Sequence, residues 1–341
     1  MAENNNNQMN SGFNSNIGEE NSLGFGAPSS GGSGSIPAQP ETEKQGGIIG
    51  LSENENKNPN EIVVTVSDPA PVVVLFGAKT SGKTMALIRL TRYLEKNGYQ
   101  VVPDKIFRPS FDNHYKRMCN EYKKLCYNKY APGGTEAISF MLIKILDTKG
   151  RPICQLLEAP GEHYFDEKDP EKPFPTYITN IMQLPNKRVW MFVVEQDGFN
   201  DDDAEQNGVY VETKKREMTD QEMRNMYVLR INNMPANLRR DKTIFVCHKV
   251  DKHQQVFLGN GMPNKPQIFK NIMNQYPGIF TRFKNRIPIY NWFKKYTFEF
   301  VPFSAGAFPP GDDGRRVYVA GEDIYPKLLW KAILKTLGKK Q

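Results

Sequence analysis

The stretch Pro71-Val-Val-Val-Leu-Phe-Gly-Ala-Lys-Thr-Ser-Gly-Lys-Thr84 decides the fold of this chain. Its first six residues form a continuous apolar run, which predicts a buried β-strand. The next eight residues match the pattern G-x-x-x-x-G-K-[ST], and Thr84–Asn97 continues as an amphipathic helix that Gly98 ends. Strand, glycine-rich turn and helix in this order predict a loop that binds a phosphate chain. The alternative is a coincidental turn of small residues before a helix.

Each residue of this loop has a predicted role in phosphate binding. Glycines allow the backbone to wrap closely around phosphates, and the amide groups at the start of the helix attract the negative charge. Lys83 is expected to reach the β- and γ-phosphates, and the Thr84 hydroxyl to bind Mg²⁺. The residues predicted to contact the nucleotide here are Gly77, Ala78, Lys79, Thr80, Ser81, Gly82, Lys83 and Thr84.

Outward from this motif, apolar runs of strand length alternate with helical patterns. This alternation predicts an α/β fold of three layers, with helices on both faces of a mostly parallel sheet. The further predicted strands are Ala137–Asp147, Pro152–Glu158, Lys187–Glu195, Asp241–Cys247 and Phe298–Phe303. Helices are predicted at Phe111–Lys129, Asp220–Leu238 and Ile324–Leu337. We expect insertions at about 104–130, 197–218 and 259–296, of which the last has a helical pattern.

Residues 1–60 differ in composition from the rest of the chain. They are rich in Asn, Gly and Ser and contain almost no aromatic residues, so we expect a disordered tail ahead of one domain at 61–341. The tail carries seven acids and two bases, a net charge of −5, and because the whole chain carries +7, residues 61–341 carry +12. A basic domain suits a nucleotide, a nucleic acid, an anionic lipid or an acidic protein, and charge alone does not distinguish these partners.

The cysteines and the N-terminus indicate a soluble, cytoplasmic protein. The four cysteines are Cys119, Cys126, Cys154 and Cys247, and they form no C-x-x-C pair, so we expect reduced, buried thiols. A zinc site of His114, Cys119 and Cys126 is the alternative. No apolar run is long enough to span a membrane, and Ala2 at the position of a myristoylated glycine excludes that anchor.

Glu158-Ala-Pro-Gly161 follows the predicted strand that ends at Glu158. It resembles the D-x-P-G motif of the translation-factor class, so the chain is identified as similar to the TRAFAC (translation-factor and Ras-like) P-loop GTPases. This resemblance implies a Ras-like G domain that binds GTP or GDP with Mg²⁺. It further implies that Glu158 orients Mg²⁺, although the family has Asp there, and that the Gly161 amide senses the γ-phosphate. Without the other motifs, a strand followed by a Pro-Gly turn explains the same residues.

Two later motifs resemble the base-recognition segments of the same family. His248-Lys-Val-Asp251 is similar to [NT]-K-x-D, and its first residue is like that of Rag-type GTPases. The resemblance implies that Asp251 accepts hydrogen bonds from guanine, that Lys249 packs along the base, and that His248 lies at the base edge. Ser304-Ala-Gly306 resembles S-A-[KL], which implies that the backbone at Ser304 and Ala305 contacts guanine O6. Solvated loops at strand ends are the alternative for both.

Three residues are predicted to act in hydrolysis together with Lys83. Thr135, just before the predicted strand at Ala137, would bind Mg²⁺ and the γ-phosphate; a polar turn is the alternative. Glu162 stands where many relatives have a water-orienting Gln or His, and a carboxylate next to the γ-phosphate predicts slow turnover. Arg108 is a candidate for an arginine supplied in cis, although a solvated surface arginine explains it more simply.

The motifs together predict a guanine-nucleotide-binding switch that hydrolyses GTP slowly. A pseudo-GTPase scaffold, which keeps the fold without turnover, and an ATP-using P-loop enzyme are the alternatives; Asp251 argues against the latter. We also expect a protein effector or activator. The aromatic and basic segment 104–130 suits a helical insertion or an effector surface better than a nucleic-acid interface.

Overall fold

The structure is a computed structural model that describes the ranges 51–130, 140–195, 220–234, 236–237, 240–252, 256–258, 260–284, 296–312 and 315–339. All of these residues belong to the compact unit Gly46–Gln341. The predicted insertion at 197–218 and the candidate Thr135 lie outside the described residues.

A seven-stranded, mostly parallel sheet forms the centre of the molecule. Its spatial order is β2-β3-β4-β1-β5-β6-β7, in which β3 runs antiparallel to both neighbours and all other neighbours are parallel. The strands are β1 (Val72–Phe76), β2 (Gln100–Pro103), β3 (Met141–Leu146), β4 (Pro152–Glu158), β5 (Arg188–Glu195), β6 (Lys242–His248) and β7 (Glu299–Pro302). A separate hairpin joins β8 (Gly306–Ala307) to β9 (Val319–Ala320).

Seven described helices accompany the sheet. They are α1 (Glu53–Lys57), α2 (Lys83–Lys96), α3 (Asn113–Cys126), α4 (Thr176–Gln183), α5 (Asp220–Asn233), α6 (Lys265–Gln275) and α7 (Ile324–Thr336). Helix α7 packs against α2 and against the β6 and β7 strands. The predicted α/β class with a mostly parallel sheet is therefore confirmed.

Strand β1 lies in the middle of the sheet because its sequence suits burial on both faces. All five of its residues are buried, as a central parallel strand requires. It pairs with β4 on one side and β5 on the other, while β6 follows β5. The carboxyl ends of these four parallel strands therefore meet at one edge, where open α/β sheets bind ligands. The phosphate, Mg²⁺ and base-recognition motifs all follow strands that end there.

The folded region extends further toward the N-terminus than the composition predicted. Residues Glu53–Lys57 form a helix with a capping box in which Ser52 and Glu55 exchange hydrogen bonds. Asn60 then accepts bonds from both the backbone N–H and the hydroxyl of Thr176, each at 2.9 Å, at the start of α4. This segment was assigned to the tail because it lacks apolar residues, but its polar side chains make the contacts that order it.

Candidate nucleotide-binding site

The loop between β1 and α2 has the backbone shape of a phosphate cradle. Thr80 and Gly82 both have positive φ, 65° and 90°, which turns successive amides toward one side. The N-cap of α2 is Gly82, which has no side chain to cap the helix. The first amides of α2 are therefore left for an anionic ligand.

Lys83 lies buried inside this loop. Its ammonium donates to the carbonyl oxygens of Gly77 at 2.9 Å and Ala78 at 3.0 Å. Burial lowers the pKa of Lys83, while the charges of Glu158 and Glu162 oppose that shift. A phosphate that entered the loop would replace weak carbonyl partners with a full negative charge, so the ammonium is placed for phosphate binding.

The side chains of Thr84 and Glu158 contact each other at the end of β4. The Thr84 hydroxyl donates to Glu158 Oε1 at 3.0 Å, and both residues are buried. Burial raises the pKa of Glu158 to about 7, against the opposing effects of Lys83 and Thr84. No described residue donates to the second carboxylate oxygen, Oε2. One hydroxyl and one carboxylate are the oxygen ligands that Mg²⁺ prefers, so the residues fit this ion.

The segment after β4 lies directly on the phosphate loop. A Cβ added to Gly161 would clash with the backbone of Ala78 and Lys79, so only glycine fits there. The next residue, Glu162, forms an ion pair with Lys79, with Nζ and Oε1 at 3.1 Å. Gly161 thus lies against the phosphate loop, and its contact to a γ-phosphate stays a prediction.

His163 faces the protein interior instead of the phosphate loop. Its Nδ1 lies 2.9 Å from the Tyr177 hydroxyl, and its ring packs edge-on against Phe140. Burial lowers its pKa to about 4, so the ring is neutral. It therefore packs the segment after β4 and is not placed to orient water.

The ring of His248 lies against the phosphate loop. It is buried against the backbone of Gly82 and lies 5.3 Å from the Phe303 ring, centroid to centroid. Burial, helped by the charges of Lys249 and Lys252, lowers its pKa to about 3. His248 thus packs between the phosphate loop and Phe303, and its contact to a base edge stays a prediction.

Lys249 and Asp251 remain at the surface end of the same loop. Lys249 has a positive φ of 59°, and its ammonium pairs with Glu195 at the end of β5 at 3.0 Å. Asp251 is exposed. It lies near Tyr325 of α7, because its charge adds to the effect of burial in raising the pKa of that phenol. An exposed carboxylate beside a tethered lysine is accessible to a ligand.

The Ser304–Gly306 segment is joined to the loop that carries Asp251. The N–H of Val250 donates to the Phe303 carbonyl at 3.3 Å. Ser304 and Ala305 are buried, and the Ser304 hydroxyl accepts from the Gly306 N–H at 3.2 Å. Both predicted base-recognition segments therefore lie side by side at the ends of β6 and β7.

The structure gives Arg108 partners that remove it from the predicted catalytic role. Its guanidinium, which is buried, binds Glu55 at 2.5 Å, Asp112 at 3.0 Å and the Val63 carbonyl at 2.9 Å. A guanidinium held by two carboxylates is not available to a phosphate. Arg108 instead anchors the N-terminal segment to the domain, which the sequence could not show because Glu55 lies 53 residues away.

Two residues of the site were missed by the sequence analysis. The Tyr227 hydroxyl, on α5, accepts from the Ala78 N–H at 3.3 Å and also donates to the carbonyl of Val193. Glu195 holds Lys249. Neither belongs to a contiguous motif; only the position of Glu195 at a predicted strand end could have indicated it.

Neither a clustered metal site nor a membrane span is found in the described part of the chain. It contains no group of three or more His, Cys, Asp or Glu side chains that could hold a metal ion. The four cysteines are buried and free, as expected. The described residues offer no cluster of ligands for the zinc alternative. None of the described helices combines the length and the apolar character of a membrane-spanning segment.

No protein-family model matches the sequence, and neither does any curated protein. Among solved structures, the chain is similar to the nucleolar GTP-binding protein 1 of Plasmodium falciparum at 13% identity and a TM-score of 0.35, covering 81% of this chain and 90% of that one. The bacterial selenocysteine-specific elongation factor EF-Sec gives 12% identity and a TM-score of 0.33, with 79% of this chain and 29% of that chain covered.

The GTP-bound Ski7 GTPase-like domain of S. cerevisiae gives 13% identity and a TM-score of 0.35, with 80% of this chain and 51% of that chain covered. The chain thus spans about half of the Ski7 domain and less than a third of EF-Sec. GTP-binding and translation-factor-like proteins are among its structural neighbours, as the motifs predicted. At these TM-scores the likeness carries no argument about activity, for which the residues of the site must be considered.

Proposed function

We propose that this chain is a guanine-nucleotide-binding switch that hydrolyses GTP slowly. The observation that carries the proposal is the cluster of Lys83 and Thr84 at the glycine-rich loop with Glu158 at the end of β4, at the same sheet edge as the exposed Asp251. Phosphate, metal and base would each meet a chemically matched group at that edge.

The phosphate end would bind the charged half of the nucleotide. Lys83 would leave the Gly77 and Ala78 carbonyls for the β- and γ-phosphates, while the N-terminus of α2 adds its amides. Thr84 would bind Mg²⁺ directly, with Glu158 holding a water of that ion. Mg²⁺ held by these residues would offset the negative charge of the phosphates. Thr135, outside the described residues, stays a predicted further ligand.

The base end would select guanine. The Asp251 carboxylate would accept hydrogen bonds from guanine N1–H and the exocyclic amino group, which adenine cannot donate in that arrangement. Lys249, held by Glu195, would pack its aliphatic part along the base. The backbone of Ser304 and Ala305 supplies the neighbouring surface. A site built to receive two donors rejects a ligand that lacks them.

Turnover would be slow because of the charge near the γ-phosphate. Glu162 is a carboxylate where a neutral amide would orient water without repulsion. Arg108, the arginine that the sequence offered for this role, is held by two carboxylates elsewhere in the domain. We therefore expect that a protein partner, an effector or an activator, reads or stimulates the nucleotide state.

A scaffold without turnover is the second candidate. Burial favours the neutral form of Glu158, and this carboxyl would bind Mg²⁺ less well than a fully ionised Asp. In that case nucleotide would bind, or the loop would only keep the fold, and hydrolysis would be lost.

Calorimetry with GTP, GDP and ATP in Mg²⁺ tests the proposal on the wild type and on Asp251→Ala. We expect guanine nucleotides to bind at least about tenfold more tightly than ATP, about 1.4 kcal/mol, and the variant to lose this preference. Equal binding of ATP would favour the alternative of an ATP-using P-loop enzyme. If no nucleotide binds, the chain would keep the fold only as a scaffold. Single-turnover hydrolysis then separates the slow GTPase from the nucleotide-binding scaffold.

A further inference from the structure

The ion pair between Lys79 and Glu162 joins two elements at the rim of the phosphate loop. Lys79 is the third residue of the loop, and Glu162 follows Gly161, which lies against the Lys79 backbone. Their side chains are 58% and 36% exposed, so the pair lies at the mouth of the loop and not in the core. Two separate segments thus bring opposite charges to one place.

The Glu162 carboxylate faces the same site as Lys83 and Glu158. Burial lowers the pKa of Lys83 and raises that of Glu158; the charge of Glu162 opposes the first shift and adds to the second, which places it within electrostatic reach of both. Its Oε1 pairs with Lys79, whereas Oε2 is shielded from solvent and receives no hydrogen bond from a described residue. The pair therefore holds one carboxylate oxygen of Glu162 against the Lys79 ammonium.

A lone carboxylate beside a γ-phosphate would repel it, and a lysine alone would have no fixed direction on its flexible chain. The pair lessens both problems, because the lysine offsets part of the charge of the carboxylate and the carboxylate holds the ammonium beside the loop. Hydrolysis gains most from a positive charge that is already in place when charge develops on the γ-phosphoryl group.

We propose that Lys79 supplies this positive charge in cis, with Glu162 as the positioning residue that holds it. The inference rests on the proposed GTP-binding function. The water oxygen forms a bond to the γ-phosphorus, and the bond from that phosphorus to the β,γ-bridging oxygen breaks. The electron pair stays on GDP. The water proton passes to the released phosphate, and no redox change occurs.

The test compares GTP affinity and single-turnover hydrolysis for the wild type, Lys79→Ala, Lys79→Arg and Lys79→Ala with Glu162→Gln. We expect Lys79→Ala to slow hydrolysis about 100-fold at saturating GTP, the usual scale for losing one preorganised group. Its affinity for GTP should change less than about tenfold. Lys79→Arg should retain most of the rate. The double variant should hydrolyse GTP faster than Lys79→Ala, since it removes the unbalanced carboxylate as well.

A second readout is capture of GDP with aluminium fluoride, which imitates the transferring phosphoryl group. We expect the wild-type protein to form this complex without any partner protein and Lys79→Ala to fail. Lys172→Ala is the matched control: it removes another exposed ion pair of the same segment, to Asp166 at 2.8 Å, and should behave as the wild type in both assays.

The outcomes separate this inference from the proposed function. If the wild type binds no GTP, the proposed function fails, and this inference falls with it. If GTP binds but Lys79→Ala hydrolyses at the wild-type rate, the inference alone is overturned. A wild type that binds GTP but neither hydrolyses it nor captures aluminium fluoride would also overturn the inference alone.

Discussion

The phosphate end and the base end of the site are built in different ways. At the phosphate end, charged and polar side chains already contact one another inside the fold, with Lys83, Thr84 and Glu158 all buried. At the base end, His248 is packed beneath the phosphate loop, while Asp251 presents an exposed carboxylate. If the proposed function holds, this difference predicts that affinity is preorganised in the core, whereas base selectivity depends on one surface residue.

The largest expected effect is on nucleotide affinity, and it distinguishes the phosphate end of the site from the base end. Lys83→Ala should weaken binding of GTP, GDP and ATP alike by about 100-fold or more, about 2.7 kcal/mol, because charge-assisted contacts to several phosphate oxygens disappear together. Lys249→Ala, at the base end, should cost less and should affect guanine nucleotides more than ATP. Calorimetry measures the nucleotide affinity of both variants. An equal loss of affinity for the two variants would contradict the difference between the phosphate end and the base end.

The second expected effect is a pH dependence of the free energy of unfolding, which the buried His163 and His248 cause. An unfolded His248 binds a proton below about pH 6.5, but burial lowers its folded pKa to about 3. The stability that a neutral His248 supports is therefore present above pH 6.5 and is lost as the pH falls toward 3. Between about pH 7 and about pH 5 the loss should be about 2 kcal/mol.

Denaturant unfolding at several pH values measures the slope of the unfolding free energy against pH. His248→Leu should flatten it by about that amount, and His163→Leu by a similar amount, since burial lowers the pKa of His163 to about 4. A wild-type slope that neither variant changes would show that the histidines are not buried as described.

The smallest expected effect is on the free energy of unfolding, and it tests the hydrogen bond between Tyr227 and the phosphate loop. Tyr227→Phe leaves the Ala78 N–H without its partner and should cost about 1 kcal/mol of unfolding free energy. Tyr276→Phe is the matched control, because this neighbouring buried hydroxyl has no hydrogen-bond partner in the described part of the chain, and its removal should be neutral. Equal destabilisation by both variants would argue against a specific role for Tyr227.

Contiguous signals made most of the fold predictable from the sequence. The strand-loop-helix unit around Gly77–Thr84 and the strands β4, β5 and β6 follow from apolar runs that suit burial on both faces of a sheet. The short edge strand β2 was missed, since only Val101 among its four residues is buried and no apolar run marks it. Edge strands need fewer apolar residues than central ones.

The contacts of the site were less predictable because they join distant residues. Tyr227 reaches Ala78 across 149 positions, and Arg108 reaches Glu55 across 53. Nothing in the local pattern of either residue indicates its partner. His248 shows the same limit, because nothing in its local pattern indicates that its ring packs against Gly82.

The measurement that tests the central claim most directly is calorimetry of GTP, XTP and ATP with the wild type and Asp251→Asn. Xanthine carries a carbonyl where guanine carries its amino group, so an amide at position 251 can donate where the carboxylate accepted. We predict that the wild type prefers GTP to both competitors by at least about tenfold, and that Asp251→Asn prefers XTP. A wild type that binds ATP as tightly as GTP, or a variant that still prefers GTP, would contradict guanine recognition at this edge of the sheet.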